Sequence, residues 1–338
     1  MRDIGYQSSL PVSDVASLVD IELPRPAPDG HDLLVAVKAV SVNPVDTKVR
    51  MRAQPEAGAW KVLGWDAAGI VEAVGSQVTR FRLGDAVFYA GAIGRPGTDA
   101  EFHLVDERIV GAKPASLSMV EAAALPLTAI TAWEALFDRL DIRKAVPGAA
   151  NAILIIGGSG GVGSIATQLV RQLTDLTVVT TASRPETVEW SRNLGAHHVV
   201  DHTKPLAAQV AGLGIGQPGF VFSTTNTGQH LADCADLIAP QGRFALIDDP
   251  DSLDVRLFKQ KCVSTHWEFM FARSMFGTAD IAEQGRLLDE VSRLVDAGTL
   301  RTTLGEEFGT ICAANLRRAH ALIESGRAKG KIVLEGWA

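Results

Sequence analysis

The chain has 338 residues, with 32 Lys and Arg against 39 Asp and Glu, a net charge of −7 when histidine is neutral. Hydrophobic residues make up 46% and charged residues 21%, with 32 glycines and 15 prolines, which excludes a disordered, collagen-like or coiled-coil chain. At roughly 100–200 residues per domain the length predicts two domains, and the acidic balance argues against sequence-independent nucleic-acid binding, which needs a basic surface.

Met1-Arg-Asp-Ile-Gly-Tyr6 leads into no apolar signal-peptide core. No run of about 18 uninterrupted apolar residues predicts a membrane span. Cys234, Cys262 and Cys312 lie far apart and form neither a disulfide framework nor the close pairs of a zinc lobe. Together these predict a reduced, cytoplasmic protein without a membrane partner.

The first third reads as short strands. Leu33–Asn43 mixes β-branched and small residues over the length of one long strand, and Gly69–Gly75, Asp85–Ala90 and Glu101–Asp106 follow between Gly and Pro clusters. The proline-rich Leu23–Gly30 reads as a surface connector. The middle third changes character. A buried strand, Asn151–Ile156, enters the glycine-rich Gly157–Gly163 and a helix from about Ser164 to Leu173. Strand Leu176–Thr181, helix Glu186–Leu194, strands His198–Asp201 and Phe220–Ser223, helix Gln229–Ile238 and strand Arg243–Asp248 come next, with Cys262–Phe269 as a candidate sixth strand. That alternation predicts a parallel, doubly wound sheet. The last third carries two amphipathic helices, about Ala279–Ala297 and Ala313–Ser325, and a closing strand, Lys331–Glu335.

Gly158-Ser-Gly160-Gly-Val-Gly163 fits G-x-G-x-x-G in the context the pattern requires, after an apolar strand and at the opening of a helix. Gly158 and Gly160 permit a tight turn and close approach of a pyrophosphate, and Gly163 lets the helix pack on the strand. The backbone of Gly161, Val162 and Gly163 presents N–H groups and the positive end of the helix dipole to the phosphates. A ligand-free glycine turn is the bland alternative. Gly157-Gly-Ser159-Gly-Gly161 also fits the G-x-S-x-G nucleophile elbow, with Asp248 and His266 as castable partners, although the extra glycines favour phosphate. A P-loop is excluded, because Ser164 stands where its lysine must be.

An NAD site places Asp or Glu at the tip of the second strand, on the ribose 2′-OH. Here the strand ends in Thr180-Thr-Ala182 and then Ser183-Arg184-Pro185-Glu186. A hydroxyl and a guanidinium in place of an acid suit a 2′-phosphate and predict NADP(H). Ser183 and Glu186 also read as an S-x-x-E capping box, and Arg184 as an ordinary surface residue. His197, His198 and His202 lack partners at metal spacing and read as the polar ends of a short strand, with His202 a candidate for facing the adenosine phosphate.

With these residues in view, the chain resembles the medium-chain dehydrogenase/reductase superfamily over essentially its full length. The likeness is to its quinone oxidoreductase branch and, within it, to zinc-type alcohol dehydrogenase-like proteins. The segments that carry it are Val42–Asp46, Leu63–Gly69, Glu121–Glu134, Gly157–Ser164 and Gly330–Leu334. The resemblance implies an α/β protein. A GroES-like β-rich catalytic domain is built from residues 1–127 and 271–338, and a Rossmann NADP(H)-binding domain, 128–270, is inserted in it. It also implies Lys331 as a cofactor-binding residue, Thr128 on the nicotinamide amide, and a homodimer formed through the last strand of the cofactor domain.

Zinc-dependent members of that family use an early cysteine and a His-Glu pair. Here Asn43 stands at the cysteine position and Trp65-Asp66 replaces His-Glu, so no zinc is expected. Without a Lewis acid, hydride delivery to an already electrophilic acceptor, a quinone or α,β-unsaturated carbonyl, is the easier chemistry. Asn43 is the first expected oxyanion donor and Lys48 a second candidate that can carry a proton, while Asp46 is expected to tie down its loop. Trp65 and Tyr89 are candidates for an aromatic pocket and equally for the core. A serine hydrolase at Ser159, a zinc-type alcohol dehydrogenase and a non-catalytic NADPH-binding protein are the rival functions.

Overall fold

The computed structural model describes all residues from Met1 to Ala338. They form two units, one of Met1–Ile130 with Phe271–Ala338 and one of Thr131–Met270.

The first unit is built on the long strand Asp32–Val42, whose residues 33–37 and 39–42 are all buried. It pairs antiparallel with Ala67–Val74, with Phe102–Asp106 and with the last strand of the chain, Lys331–Glu335. The register sets Ile332 opposite Val42. This places Lys331 beside Asn43, 288 residues away in sequence. A second, three-stranded sheet joins Val19–Glu22, Arg2–Tyr6 and Lys61–Val62.

A helix, Pro44–Arg52, follows the long strand directly, where the sequence suggested a loop. Its start combines a proline in the first turn with Asp46, whose Oδ2 accepts the Asn43 N–H at 2.6 Å. These two features satisfy the strand-to-helix turn that Asn43-Pro44 opens. The C-terminal helices are Glu283–Asp296 and Ala313–Glu324, the first starting four residues later than its pattern suggested.

The second unit holds a six-stranded parallel sheet. Its strands in chain order are Ala150–Ile156, Thr177–Thr181, His198–Val200, Pro218–Ser223, Arg243–Leu246 and Ser264–Trp267. Their spatial order is third, second, first, fourth, fifth, sixth. This is the doubly wound arrangement, in which the order reverses beside the first strand. The strands are apolar because both faces are covered. Leu154, Val179, Val221 and Phe244 pack with Leu231, Ile238 and Phe258 in one cluster.

One helical run, Met119–Arg139, is long and apolar enough to cross a membrane, but 83% of its 18-residue apolar stretch is buried within the protein. It is therefore a core helix, ending in a π-helical stretch at Glu134–Arg139.

Candidate active site

In the second unit, the first strand ends at Ile156 and the helix Gly161–Leu173 begins five residues later. Gly157 takes φ +83°, which only glycine adopts without strain. A Cβ on Gly158 would stand 2.5 Å from Thr180 Cβ, and one on Gly163 would stand 2.2 Å from the Gly157 carbonyl oxygen. These two glycines are therefore required for strand–turn–helix packing. Gly160 is roomier, its added Cβ meeting only the Gly157 oxygen at 3.4 Å. Ser164 N–H closes the first turn onto Gly160 C=O at 2.9 Å. The N–H groups of Gly161, Val162 and Gly163 precede it in the first turn, where the helix itself supplies no acceptor. The result is an anion cradle of the form a dinucleotide pyrophosphate takes.

Gly163→Ala should lower NADPH affinity by at least tenfold. The Cβ has only backbone atoms to push against, so the cradle itself must open. Fluorescence titration with NADPH checks this, and unchanged affinity would refute the packing argument.

At the tip of the second strand the structure departs from the expected cap. The helix begins at Pro185, with Arg184 rather than Ser183 at its N-cap position. Thr187 Oγ1 accepts the Arg184 N–H at 3.2 Å and closes the turn in place of Glu186. Proline prefers the first helical position, and this shifts the cap by one residue. Ser183 is thereby left exposed, and its Oγ lies 3.1 Å from His202 Nε2. The Arg184 guanidinium is 3.4 Å from Glu186 and partly exposed. A hydroxyl and an imidazole thus pair, with Arg184 next in the chain, where an NAD site carries a carboxylate.

The hydrolase constellation does not assemble. Asp248 accepts the Thr227 N–H at 2.8 Å at a helix start, and His266 pairs with Ser264 at 3.1 Å.

In the first unit, Asn43, Asp66 and Lys331 form a closed network. The Lys331 ammonium donates to Val42 C=O at 3.1 Å, to Asp66 Oδ2 at 2.9 Å and to Asn43 Oδ1. Asn43 Nδ2 donates to Asp66 Oδ2 at 2.8 Å and to Ser41 C=O at 3.3 Å. Asp66 Oδ1 takes the Leu127 N–H at 2.7 Å. Asn43, Asp66 and Lys331 are 1%, 0% and 3% exposed. Burial pushes the Asp66 carboxyl up, and the ammonium and the two N–H donors pull it back. Asn43 and Lys331, expected at oxyanion and cofactor, thus spend their donors inside the protein.

Asp46, expected to tie down a loop, sits in the first turn of the helix Pro44–Arg52, and its Oδ1 accepts the Gly64 N–H at 3.0 Å. Burial raises its pKa to about 7. The folded state then holds a proton that the unfolded chain releases near pH 4, so stability falls as pH rises between those values. The difference in unfolding free energy between the wild type and Asp46→Asn should decline from about pH 4 to about pH 7 and flatten above. Urea unfolding across that range measures it, and a flat difference would contradict the buried, protonated state.

Lys48 lies half-buried on the helix that Asn43 opens. Thr128 is buried and its Oγ1 donates to Leu125 C=O at 3.0 Å, leaving its lone pairs to accept. Trp65 and Tyr89 are core residues: Trp65 packs edge-on to Phe271 at 6.0 Å and Tyr89 stacks on His103 at 5.5 Å.

Zinc does not fit this donor set. Asn43 offers an amide, Trp65 an indole and Asp66 a single carboxylate already carrying an ammonium. Nowhere in the chain do three His, Cys, Asp or Glu side chains converge to hold an ion.

Two family models match the chain. Residues 29–115 match the alcohol dehydrogenase GroES-like domain and residues 194–334 the zinc-binding dehydrogenase family. A zinc-type alcohol dehydrogenase-like protein of Staphylococcus epidermidis is 38% identical over 336 residues, 99% of each chain. This chain belongs to the medium-chain dehydrogenase/reductase superfamily. Within the superfamily, a crystal structure from Rhizobium etli, provisionally named a zinc-dependent alcohol dehydrogenase, shares 68% identity with a TM-score of 0.98, covering 100% of this chain and 98% of its own. A quinone oxidoreductase from Pseudomonas syringae shares 25% identity with a TM-score of 0.82 and 99% coverage of both chains. The fold is thus the family's Rossmann sheet with a separate GroES-like β-rich domain, and the chemistry class is oxidoreductase.

Proposed function

We propose that this chain is a zinc-independent, NADPH-dependent reductase that transfers hydride to a quinone or an α,β-unsaturated carbonyl. The observation that carries the reading is the second strand's tip, where Ser183 pairs with His202 and Arg184 follows next in the chain, in place of the acid an NAD enzyme carries. The glycine cradle supports it, since its backbone fits a pyrophosphate. NADPH, when bound, supplies the hydride. The chain's part is binding, positioning and proton supply.

Gly158 and Gly163 hold the turn, and the N–H groups of Gly161, Val162 and Gly163 take the pyrophosphate. Arg184, Ser183 and His202 take the 2′-phosphate. Thr128 Oγ1, a pure acceptor once its hydrogen is on Leu125, suits an amide N–H. Lys48 holds the proton for the reduced acceptor oxygen. Asn43 and Lys331 act as positioning residues, because their own polar atoms are engaged. Three free cysteines fit a reducing cytoplasmic setting.

A homodimer through the sixth strand belongs to the same reading. Ser264–Trp267 ends the sheet and leaves Trp267 53% and Phe269 47% exposed beside an unpaired edge. Trp267→Lys should shift the sedimentation coefficient toward the monomer, and an unchanged value would place any dimer elsewhere.

The test of function is oxidation of NADPH, followed by absorbance, with a panel of quinones, enones and simple aldehydes. Turnover with quinones or enones and little with aldehydes supports the proposal. NADPH binding without turnover on any acceptor would favour a non-catalytic binding protein.

A further inference from the structure

We infer that the Lys331 ammonium is the fixed cation of the catalytic domain, standing in place of a metal ion and closing the site to one. The inference deepens the zinc-independent reading and rests on it. It starts from two substitutions and one register. Asn43 and Asp66 stand where the metal-dependent pattern has a cysteine and a glutamate. The last strand, paired with the long strand so that Ile332 faces Val42, delivers Lys331 onto both.

An ammonium has three N–H donors. Lys331 places them on Val42 C=O, Asn43 Oδ1 and Asp66 Oδ2, so three acceptors converge on one nitrogen. With the lysine 3% exposed and Asp66 fully buried, neither charge is tolerable without the other. The lysine is therefore locked in by the same desolvation that makes the site dry.

The cluster also lacks charge for a second cation. Asp46, the buried carboxylate beside Asn43, already spends both oxygens on backbone N–H groups, Oδ2 on Asn43 and Oδ1 on Gly64. Asp66 is the carboxylate left to balance a cation, and Lys331 has claimed it. A divalent ion can approach its oxygens only by displacing the ammonium. Unlike a metal, this cation has no open coordination position, so it cannot polarise a substrate oxygen directly. It acts through Asn43 and Asp66, as a positioning residue. The same geometry explains how a chain can keep a zinc-dependent family's fold while departing from its metal.

The test restores the missing ligands with and without the lysine. Three proteins are titrated with Co²⁺ and followed by the visible thiolate–cobalt and ligand-field absorption of a tetrahedral site. They are the wild type, Asn43→Cys/Trp65→His, and the same pair with Lys331→Ala. We expect no saturable absorption in the first two and one Co²⁺ per chain in the third. Equal cobalt binding with and without Lys331, or none in the third protein, would overturn the inference. Saturable cobalt binding by the wild type would instead overturn the zinc-independent reading.

Because the combined variant can fail to fold, Lys331→Ala alone gives a second readout. Its thermal midpoint should fall and recover with methylammonium chloride, while tetramethylammonium chloride, too large for the site, should have no effect. Equal response to both salts would show that no ammonium-sized cation site exists.

Discussion

Asp66→Ala is expected to cost about 3–5 kcal/mol of folding stability, the usual penalty for stripping one partner from a buried ion pair. The substitution removes three hydrogen bonds at once. The Lys331 ammonium loses its only carboxylate, Asn43 Nδ2 loses an acceptor at 2.8 Å, and the Leu127 N–H loses its acceptor at 2.7 Å. All of these atoms are buried, so water cannot replace the lost partner. Asp66→Asn should cost less, because it keeps an oxygen for Leu127. The urea midpoint measures both. A loss below about 1 kcal/mol for the alanine variant would mean that the pair is water-accessible in solution.

Arg184→Ala should weaken NADPH binding by roughly ten- to a hundredfold and leave NADH binding unchanged. A hydrogen bond to a charged group contributes about 1.5–3 kcal/mol, and each 1.4 kcal/mol is about tenfold in affinity. The guanidinium is the permanent charge at the strand tip, beside the Ser183 Oγ and His202 Nε2 that lie 3.1 Å from each other. Fluorescence titration of both cofactors against wild type and variant is the check. A parallel loss for NADH would show that Arg184 supports the fold of the turn rather than the phosphate.

What the sequence revealed was what it encodes locally. The glycine turn was legible because strand, turn and helix are contiguous and Gly158 and Gly163 each have a steric reason, which Thr180 and the Gly157 carbonyl supply. The alternation of the middle third gave the parallel sheet for the same reason. The helix at Pro44 was missed although its signal was present, because Asp46 was read as tying down a loop and its carboxylate was not recognised as closing a helix start behind Pro44. The cap at Ser183 was placed one residue early because the S-x-x-E spacing outweighed the preference of Pro185 for the first helical position.

The Asn43–Asp66–Lys331 network was not legible at all. Its members lie 23 and 288 residues from Asn43, and only strand register brings them together. No single-sequence pattern reports that register across two domains' worth of intervening chain. The consequence is functional, since Asn43, read as an oxyanion donor, is buried with its side chain engaged by Asp66, Ser41 and Lys331.

The most direct measurement is kcat/KM for NADPH and for NADH with one quinone acceptor, made on protein dialysed against a chelator. The account predicts full activity after dialysis and a strong preference for NADPH that Arg184→Ala abolishes. Activity that vanishes on chelation and returns with zinc, or equal kcat/KM for the two cofactors, would contradict it.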